Sequence, residues 1–222
     1  VIGMMGFPMP AQPFGWFKEP VNSVADIEGF KYRTVGLAAD LMQSMGMSVA
    51  QLPGGEIVPA MERGVIDAFE FNNPSSDRRF GAQDVAKNYY LGSYHQASEA
   101  FEFLFNKDFM EDLDDDLRAI MEYSVEAAST ANTALALNEY SKDLQELQDV
   151  DGVTVRQTPP EILEAQLEAW KQLIVGLEED TFFKKILDSQ REWVERVSYY
   201  ELLNSPDYRL AYNFFFPGKL PS

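Results

Sequence analysis

Arg33 lies inside the run Gly29-Phe30-Lys31-Tyr32-Arg33-Thr34-Val35-Gly36, an extended segment bounded by glycines. A guanidinium at the end of such a strand can meet a carboxylate through two parallel hydrogen bonds. The bland reading of the same residue is a solvated arginine or one paired at the surface. Glu70 stands in an apolar stretch just before a turn, so its carboxylate either faces water at an edge or turns into a cleft. Gln12, beside Phe14 and Trp16, is uninformative alone. His95 is the only histidine. No Gly-x-Ser-x-Gly, His-Glu-x-x-His, phosphate-loop or Gly-x-Gly-x-x-Gly pattern accompanies it, which points to a structural or pocket-lining role. Asp112, Asp114 and Asp116 have the spacing of calcium-loop ligands. Leu117 and Tyr123 stand where that loop needs glycine and glutamate, so the acids read as a helix start complementing the helix dipole. Gly54-Gly55 before a helix can present N–H groups to an anion. The pair lacks the Lys-Ser/Thr of a phosphate loop and reads as a helix-opening turn.

These residues need elements to hold them. Asn22 to Ile27 reads as a helical turn and 30–35 as a strand. Ala38 to Met45 reads as a helix stopped by Gly46, and Ser48 to Leu52 as a strand. A helix over Ile57 to Arg63 has Pro59 in its first turn, where a missing N–H costs little. Val65 to Phe71 is a third strand. This strand–helix rhythm, with glycine and proline at the joints, predicts a small parallel α/β lobe. Residues 1–20 read as irregular or short-stranded, and Asn72 to Asp77 as turn chemistry at a crossing or hinge. Tyr89 to His95 and Ala100 to Asn106 read as strands. From Asp114 to about Gln148 the pattern is one long helix, with Leu117, Ile120, Met121, Ser124, Ala128, Ala131 and Leu135 as its stripe. After a strand near 151–155, Thr158-Pro159-Pro160-Glu161 predicts a capping box opening a helix. Ile162, Leu163, Leu167, Trp170, Leu173, Ile174 and Leu177 form that helix's buried face. A last helix over Thr181 to Leu202 presents Phe183, Ile186, Leu187, Gln190, Val194 and Val197, and an aromatic tail runs from Tyr208 to Ser222.

The chain has 222 residues, 45% of them hydrophobic, so a substantial core is available. Eighteen basic residues face 36 acidic ones, a net charge of -18. That argues against a nucleic-acid partner, which needs a concentrated basic surface. An anionic ligand would be repelled in bulk, so its capture must depend on local cations such as Arg33. The absence of cysteine excludes disulfides and thiolate chemistry and is compatible with a periplasmic location. No apolar run approaches the roughly 18 residues of a membrane helix. The chain opens on Val1 without an initiator methionine, in keeping with a processed or a truncated chain.

Five segments in order carry a resemblance: Gln12-Pro13-Phe14-Gly15-Trp16-Phe17, Lys31 to Leu37, Leu52-Pro53-Gly54-Gly55-Glu56-Ile57, Gly64-Val65-Ile66-Asp67-Ala68 and Glu70-Phe71. The sequence resembles the substrate-binding proteins of TRAP (tripartite ATP-independent periplasmic) transporters, in the branch that binds 2-oxo acids and related monocarboxylates. The resemblance implies an α/β, two-lobe, periplasmic-binding-protein-like fold with a long interlobe helix. It further implies that Arg33 clamps a ligand carboxylate, while Gln12, Glu70 and the backbone oxygen of Phe71 hold a sodium or calcium ion that also contacts the ligand. Asn73, Tyr94 and Trp16 complete the implied ligand shell. Oxygen donors of these kinds suit hard cations.

This chain has Phe71 followed by Asn72-Asn73-Pro74 where the branch usually has tryptophan followed by Gly-Pro. An aromatic or hydroxylated acid is therefore as compatible as pyruvate. Family members also carry a stretch before the region matching Val1, so the implied first lobe is incomplete here. The implied organisation is one solute-binding chain over 1–222. Residues 18–70 are the core of the second lobe, 71–97 cross back to the first, 98–150 hold a strand and the long helix, and 151–222 hold the C-terminal strand and helices.

The implied function is non-enzymatic: capture of a small organic acid in the periplasm by closure of the lobes, and delivery to the membrane subunits of the transporter. Replacing Arg33 by alanine is then expected to abolish binding with little change in fold. Two other readings stay open on the residues alone. One is an enzyme using Glu70, Asp67 or His95 as acid or base. The other is a helical interaction protein docking a partner through the helices after Asp114.

Overall fold

The structure is a computed structural model and describes residues 1–220. In chain order it runs β1 (Ile2–Met9), β2 (Gly15–Phe17), α1 (Val24–Ile27), β3 (Lys31–Arg33), α2 (Leu37–Ser44) and β4 (Ser48–Ala50). A 3₁₀ turn (Gly54–Glu56) then leads into α3 (Ile57–Glu62), β5 (Ala68–Phe69), α4 (Pro74–Phe80), α5 (Ala82–Val85), β6 (Asn88–Leu91) and β7 (Glu99–Phe105). The remainder is α6 (Lys107–Glu111), α7 (Asp115–Asp149), β8 (Thr154–Gln157), α8 (Pro160–Leu177), α9 (Thr181–Asn204) and α10 (Tyr208–Phe215).

The main sheet has six strands in the order β4-β3-β5-β2-β6-β8. Strand β3 pairs parallel with β4 and β5, which is the parallel unit expected over 29–71. Strand β2 runs antiparallel between β5 and β6, and β6 pairs parallel with β8. Because successive strand residues face opposite sides, neighbours divide between two cores. Phe17, Ala68 and Tyr90 join Phe14, Tyr32, Leu41 and Ile162 on one face. Trp16, Phe69 and Tyr89 join Ile57, Met61, Ile66 and Leu147 on the other. Both faces are covered, so the two innermost strands, β2 and β5, are apolar throughout rather than alternating. Gly15 has φ +128°, and a Cβ there would lie 2.2 Å from the Phe69 carbonyl oxygen, so no side chain fits where β2 meets β5.

Strands β1 and β7 form a separate antiparallel pair. The expectation of irregular chain over 1–20 therefore gives way to an eight-residue strand. Its Gly, Met and Pro content hid it, and its ladder depends on a partner about a hundred residues later. Helix α7 has 35 residues, a length of about 50 Å. It touches both sheets. Ser129 Oγ accepts from Phe7 N–H at 3.1 Å and Tyr140 O–H donates to Met9 Sδ at 3.2 Å, while Leu147 is buried in the main core. Its inward stripe is Val125, Ser129, Asn132, Ala136, Tyr140 and Leu147, not the one anchored by Leu117, Ile120 and Leu135, which are exposed. The period is helical as expected, but small and polar residues occupy the packed face. Asp114 is the N-cap of α7, with Asp115 and Asp116 in its first turn, the helix-start role expected of this acidic run. Near the other end of α7, Arg78 of α4 bonds Glu146 at 2.5 Å, Asp143 at 3.5 Å and Asp151 at 2.7 Å.

Three further expectations change. Residues 74–80 are helix α4, because Asn73 caps it and Pro74 takes its first position. Helix α8 has Pro160 at its start but no capping box: the Thr158 hydroxyl instead donates to the Leu91 carbonyl at 3.3 Å. The face of α9 holding Phe183, Ile186 and Val194 buries no residue, and the aromatic tail forms the exposed helix α10. The last two tail residues, 221 and 222, lie outside the described part. Among the described residues no helix is long and apolar enough to cross a membrane.

Candidate functional site

Arg33 ends β3 and is 5% exposed. Its neighbours aim it. Nε donates to the Leu52 carbonyl at 2.9 Å, and Nη1 donates to both the Glu70 carbonyl (2.9 Å) and Glu70 Oε1 (3.0 Å). The parallel register that sets Arg33 opposite Phe69 brings Glu70 to this position, and Glu70 N–H continues the ladder to the Arg33 carbonyl at 3.2 Å. Nε and Nη1 are fully used, and Nη2 makes no hydrogen bond among the described residues, so its two N–H groups stay free for an acceptor. Burial pushes the Glu70 carboxyl up to about 7, and the Arg33 charge opposes that only in part.

Gln12 lies on the chain crossing from β1 to β2, and His95 on the crossing from β6 to β7. Their segments are joined by a backbone bond from Gln12 N–H to the Gln96 carbonyl at 3.0 Å. Gln12 Nε2 donates to the Phe71 carbonyl at 3.0 Å, which brings together two of the residues expected to hold a cation. Gln12 Oε1 lies 3.0 Å from His95 Nε2, and His95 Nδ1 lies 2.7 Å from Ser93 Oγ. Ser93 in turn meets the fully buried Gln166 of α8. Burial holds the His95 pKa down at about 4, so the ring is neutral at ordinary pH. An amide oxygen, a backbone carbonyl and a carboxylate are hard donors of the kind sodium or calcium takes, but here Gln12 Oε1 faces His95 and the Phe71 oxygen accepts from the Gln12 amide.

The other expected ligand-shell residues divide. Asn73 spends its side-chain oxygen on the N–H groups of Ser75 and Ser76, both at 3.0 Å, yet it borders an open cavity of about 480 Å³. Phe71, Phe7, Met9 and Tyr140 supply apolar wall to that cavity, with Asn72 and Asn132 adding amides. Tyr94 is 42% exposed, and its hydrogen bonds are made by the backbone, to Gln166 and Trp170. Trp16 is a correction. Its indole is fully buried in the main core, stacked on Tyr89 at 4.1 Å, and donates to Asp77 at 2.9 Å. In a strand buried on both faces, its side chain has no route to a cleft.

Asp77 carries weight that its sequence position did not signal. It accepts from Trp16, Tyr89 O–H (3.2 Å) and the backbone N–H groups of Asn72 (3.1 Å) and Asn73 (3.2 Å). It thereby fixes the segment that follows Phe71. Burial pushes its carboxyl up to about 6 despite those donors. The Ser93–Gln166 pair was likewise unread, since a neutral amide 73 residues away has no local pattern.

Residues 11–180 match the family of bacterial extracellular solute-binding proteins, family 7 (DctP). A monocarboxylate 2-oxoacid-binding periplasmic protein from Nostoc sp. PCC 7120 is 40% identical over 96 residues, 43% of this chain and 26% of the relative. A TRAP periplasmic solute-binding protein from Colwellia psychrerythraea, solved with calcium and pyruvate, superposes with a TM-score of 0.85 at 29% identity. One from Pseudoalteromonas atlantica, solved with sodium and pyruvate, gives 0.84 at 28% identity. In both pairs 96% of this chain is covered but only 64% of the solved chain, so this chain spans less than two thirds of their length. With the match covering Arg33, Glu70, Phe71 and the Gln12–His95 crossings, the chain belongs to the DctP family, bacterial extracellular solute-binding protein family 7.

Proposed function

We propose that this chain is the solute-binding component of a TRAP transporter, capturing a small organic acid in the periplasm and passing it to membrane subunits without altering it. The carrying observation is Arg33: a buried guanidinium whose Nε and Nη1 are fixed by Leu52 and Glu70, with Nη2 open. The free Nη2 N–H groups can donate to a carboxylate, and their aim is set before the ligand arrives. Gln12, the Phe71 carbonyl and Glu70 would hold a sodium or calcium ion. When bound, that cation supplies positive charge that offsets both Glu70 and the acid.

Pyruvate in the two solved relatives makes a 2-oxo monocarboxylate the first class to test. The cavity bordered by Phe71, Phe7 and Tyr140 has room for a larger or aromatic acid. Gln12 and His95 sit on the two crossings between the sheets, so contacts made there couple ligand capture to the relative position of those sheets.

Calorimetry of the purified protein with pyruvate, in calcium and in chelator, tests this reading. Saturable binding in calcium, lost in Arg33→Lys, is the expected result; equal affinity in that variant would remove Arg33 from the site. A second reading rests on the raised Glu70 carboxyl, which also suits proton transfer. It predicts turnover of pyruvate during long incubation, whereas the binding reading predicts recovery of the acid unchanged.

A further inference from the structure

We infer that His95 is a positioning residue that sets which end of the Gln12 amide faces the Phe71 carbonyl, and that cation binding reverses the amide and the His95 tautomer together. The inference rests on the proposed cation site and adds a residue to it.

The arrangement in the structure has one polarity. The Phe71 carbonyl can only accept, so the Gln12 atom 3.0 Å from it is the amide nitrogen. Gln12 Oε1 therefore faces His95 Nε2, which must carry the ring proton to donate across 3.0 Å. A neutral imidazole has one N–H, so Nδ1 is left to accept from the Ser93 hydroxyl at 2.7 Å. Ser93 Oγ in turn accepts from Gln166 Nε2 at 2.9 Å. Each donor has an acceptor, and the chain of bonds runs from α8 to Phe71 in a single direction.

That direction is wrong for holding a cation. The amide N–H would face the same space as the positive charge, and the Phe71 oxygen is occupied by the amide. Turning Gln12 over solves both problems, because it points Oε1 into the site and frees the Phe71 carbonyl. The amide nitrogen then faces His95 Nε2, where two donors would meet unless the ring proton moves. One proton leaves Nε2 to water and one is taken up at Nδ1, so the ring stays neutral. Nδ1–H donates to Ser93 Oγ, and the Ser93 hydroxyl donates to Gln166 Oε1, already 3.1 Å away. Gln166 Oε1 keeps the Tyr94 N–H at 2.8 Å. The network is satisfied in both directions because each member, from Gln12 to Gln166, can either donate or accept. An aliphatic residue at 95 could not take part, and all four side chains are nine-tenths or more buried, so water does not substitute freely.

Because His95 is the only histidine, its tautomer can be read without assignment ambiguity. Long-range proton–nitrogen correlation spectra of ¹⁵N-histidine-labelled protein would be recorded in chelator, with calcium chloride alone and with calcium chloride plus pyruvate. Cation binding would be followed in parallel by calorimetry. The expected result is an Nε2–H ring in chelator and an Nδ1–H ring once calcium is bound. Calcium binding with an unchanged tautomer overturns the inference and leaves the cation site standing. No calcium binding, with or without pyruvate, overturns the site and the inference together. His95→Leu should lower calcium affinity by about 10- to 100-fold, and His95→Gln, whose amide can present either end, should recover most of that loss. Equal loss in the two variants would again overturn it.

Discussion

Arg33 Nη1 bonds Glu70 twice, at its backbone oxygen (2.9 Å) and at Oε1 (3.0 Å). The pair shares neighbouring strands of a buried sheet, so the arginine is aimed by main-chain register as much as by charge. This changes the expectation that alanine at 33 leaves the fold untouched. Removing Arg33 leaves Glu70 unpaired, at a cost of about 3–5 kcal/mol where Glu70 stays ionised and less where it takes up a proton. Arg33→Ala should lose both ligand binding and stability. Urea unfolding should show the second effect, and Arg33→Met combined with Glu70→Met should restore most of the stability while binding stays lost.

Glu70 should make stability depend on pH. Its folded-state value, about 7, lies above the ordinary 4.5, so the native state holds this proton more tightly than the unfolded chain. The resulting stabilisation is complete below pH 4.5 and is lost as pH rises through 7. Glu70→Gln removes that loss. Relative to the parent, in chelator, the variant should gain about 3 kcal/mol between pH 4 and pH 8. A pH-independent difference in unfolding free energy would count against burial as the dominant influence.

Asp77→Ala should be among the most damaging single changes. It strands the indole N–H of Trp16 and two backbone N–H groups away from water, for a combined cost of about 3 kcal/mol or more. Because Asn72 and Asn73 follow Phe71, ligand affinity should fall as well in whatever fraction still folds. Near-ultraviolet circular dichroism would register the loosened Trp16–Tyr89 stack.

Two glycines allow a matched comparison. Gly15→Ala meets the Phe69 oxygen at 2.2 Å and holds φ +128°, so it should cost more than about 2 kcal/mol. Gly29→Ala has φ +75° and open space around its new methyl group, so it should cost only about 1 kcal/mol. Similar melting temperatures for the two variants would refute the close-approach explanation of Gly15.

The parallel unit around β3, β4 and β5 is legible because glycine and proline punctuate its short extended runs. Arg33 and Glu70 could be singled out as charges in such runs, but nothing local showed that they meet each other. The sequence of α4 reads as a turn because asparagine before proline serves both a turn and a helix cap, and tertiary contact decides between them. The packed stripe of α7 is hidden in the sequence because Ser129, Asn132 and Ala136 fill it, and hydrophobicity selects a face one residue, about 100°, round the helix. The burial of Trp16 is hidden for a related reason: an aromatic beside a candidate ligand residue reads the same whether it lines a pocket or fills a core. The Gln12–His95–Ser93–Gln166 chain joins residues up to 154 positions apart and exists only in the folded molecule.

Helix α7 is also a lever. Ser129 lies about 25 Å along the axis from Glu146, where Arg78 grips it. A rotation of about 5° at that grip swings the Ser129 end by about 2 Å, which is enough to make or break its bond to Phe7. A cluster of partly solvated ion pairs, of small consequence for holding the chain together, thus sits where a small change of angle is magnified at the strand pair. Changes at Asp143, Glu146 or Asp151 should therefore be felt in where β1 points before they are felt in whether the chain folds.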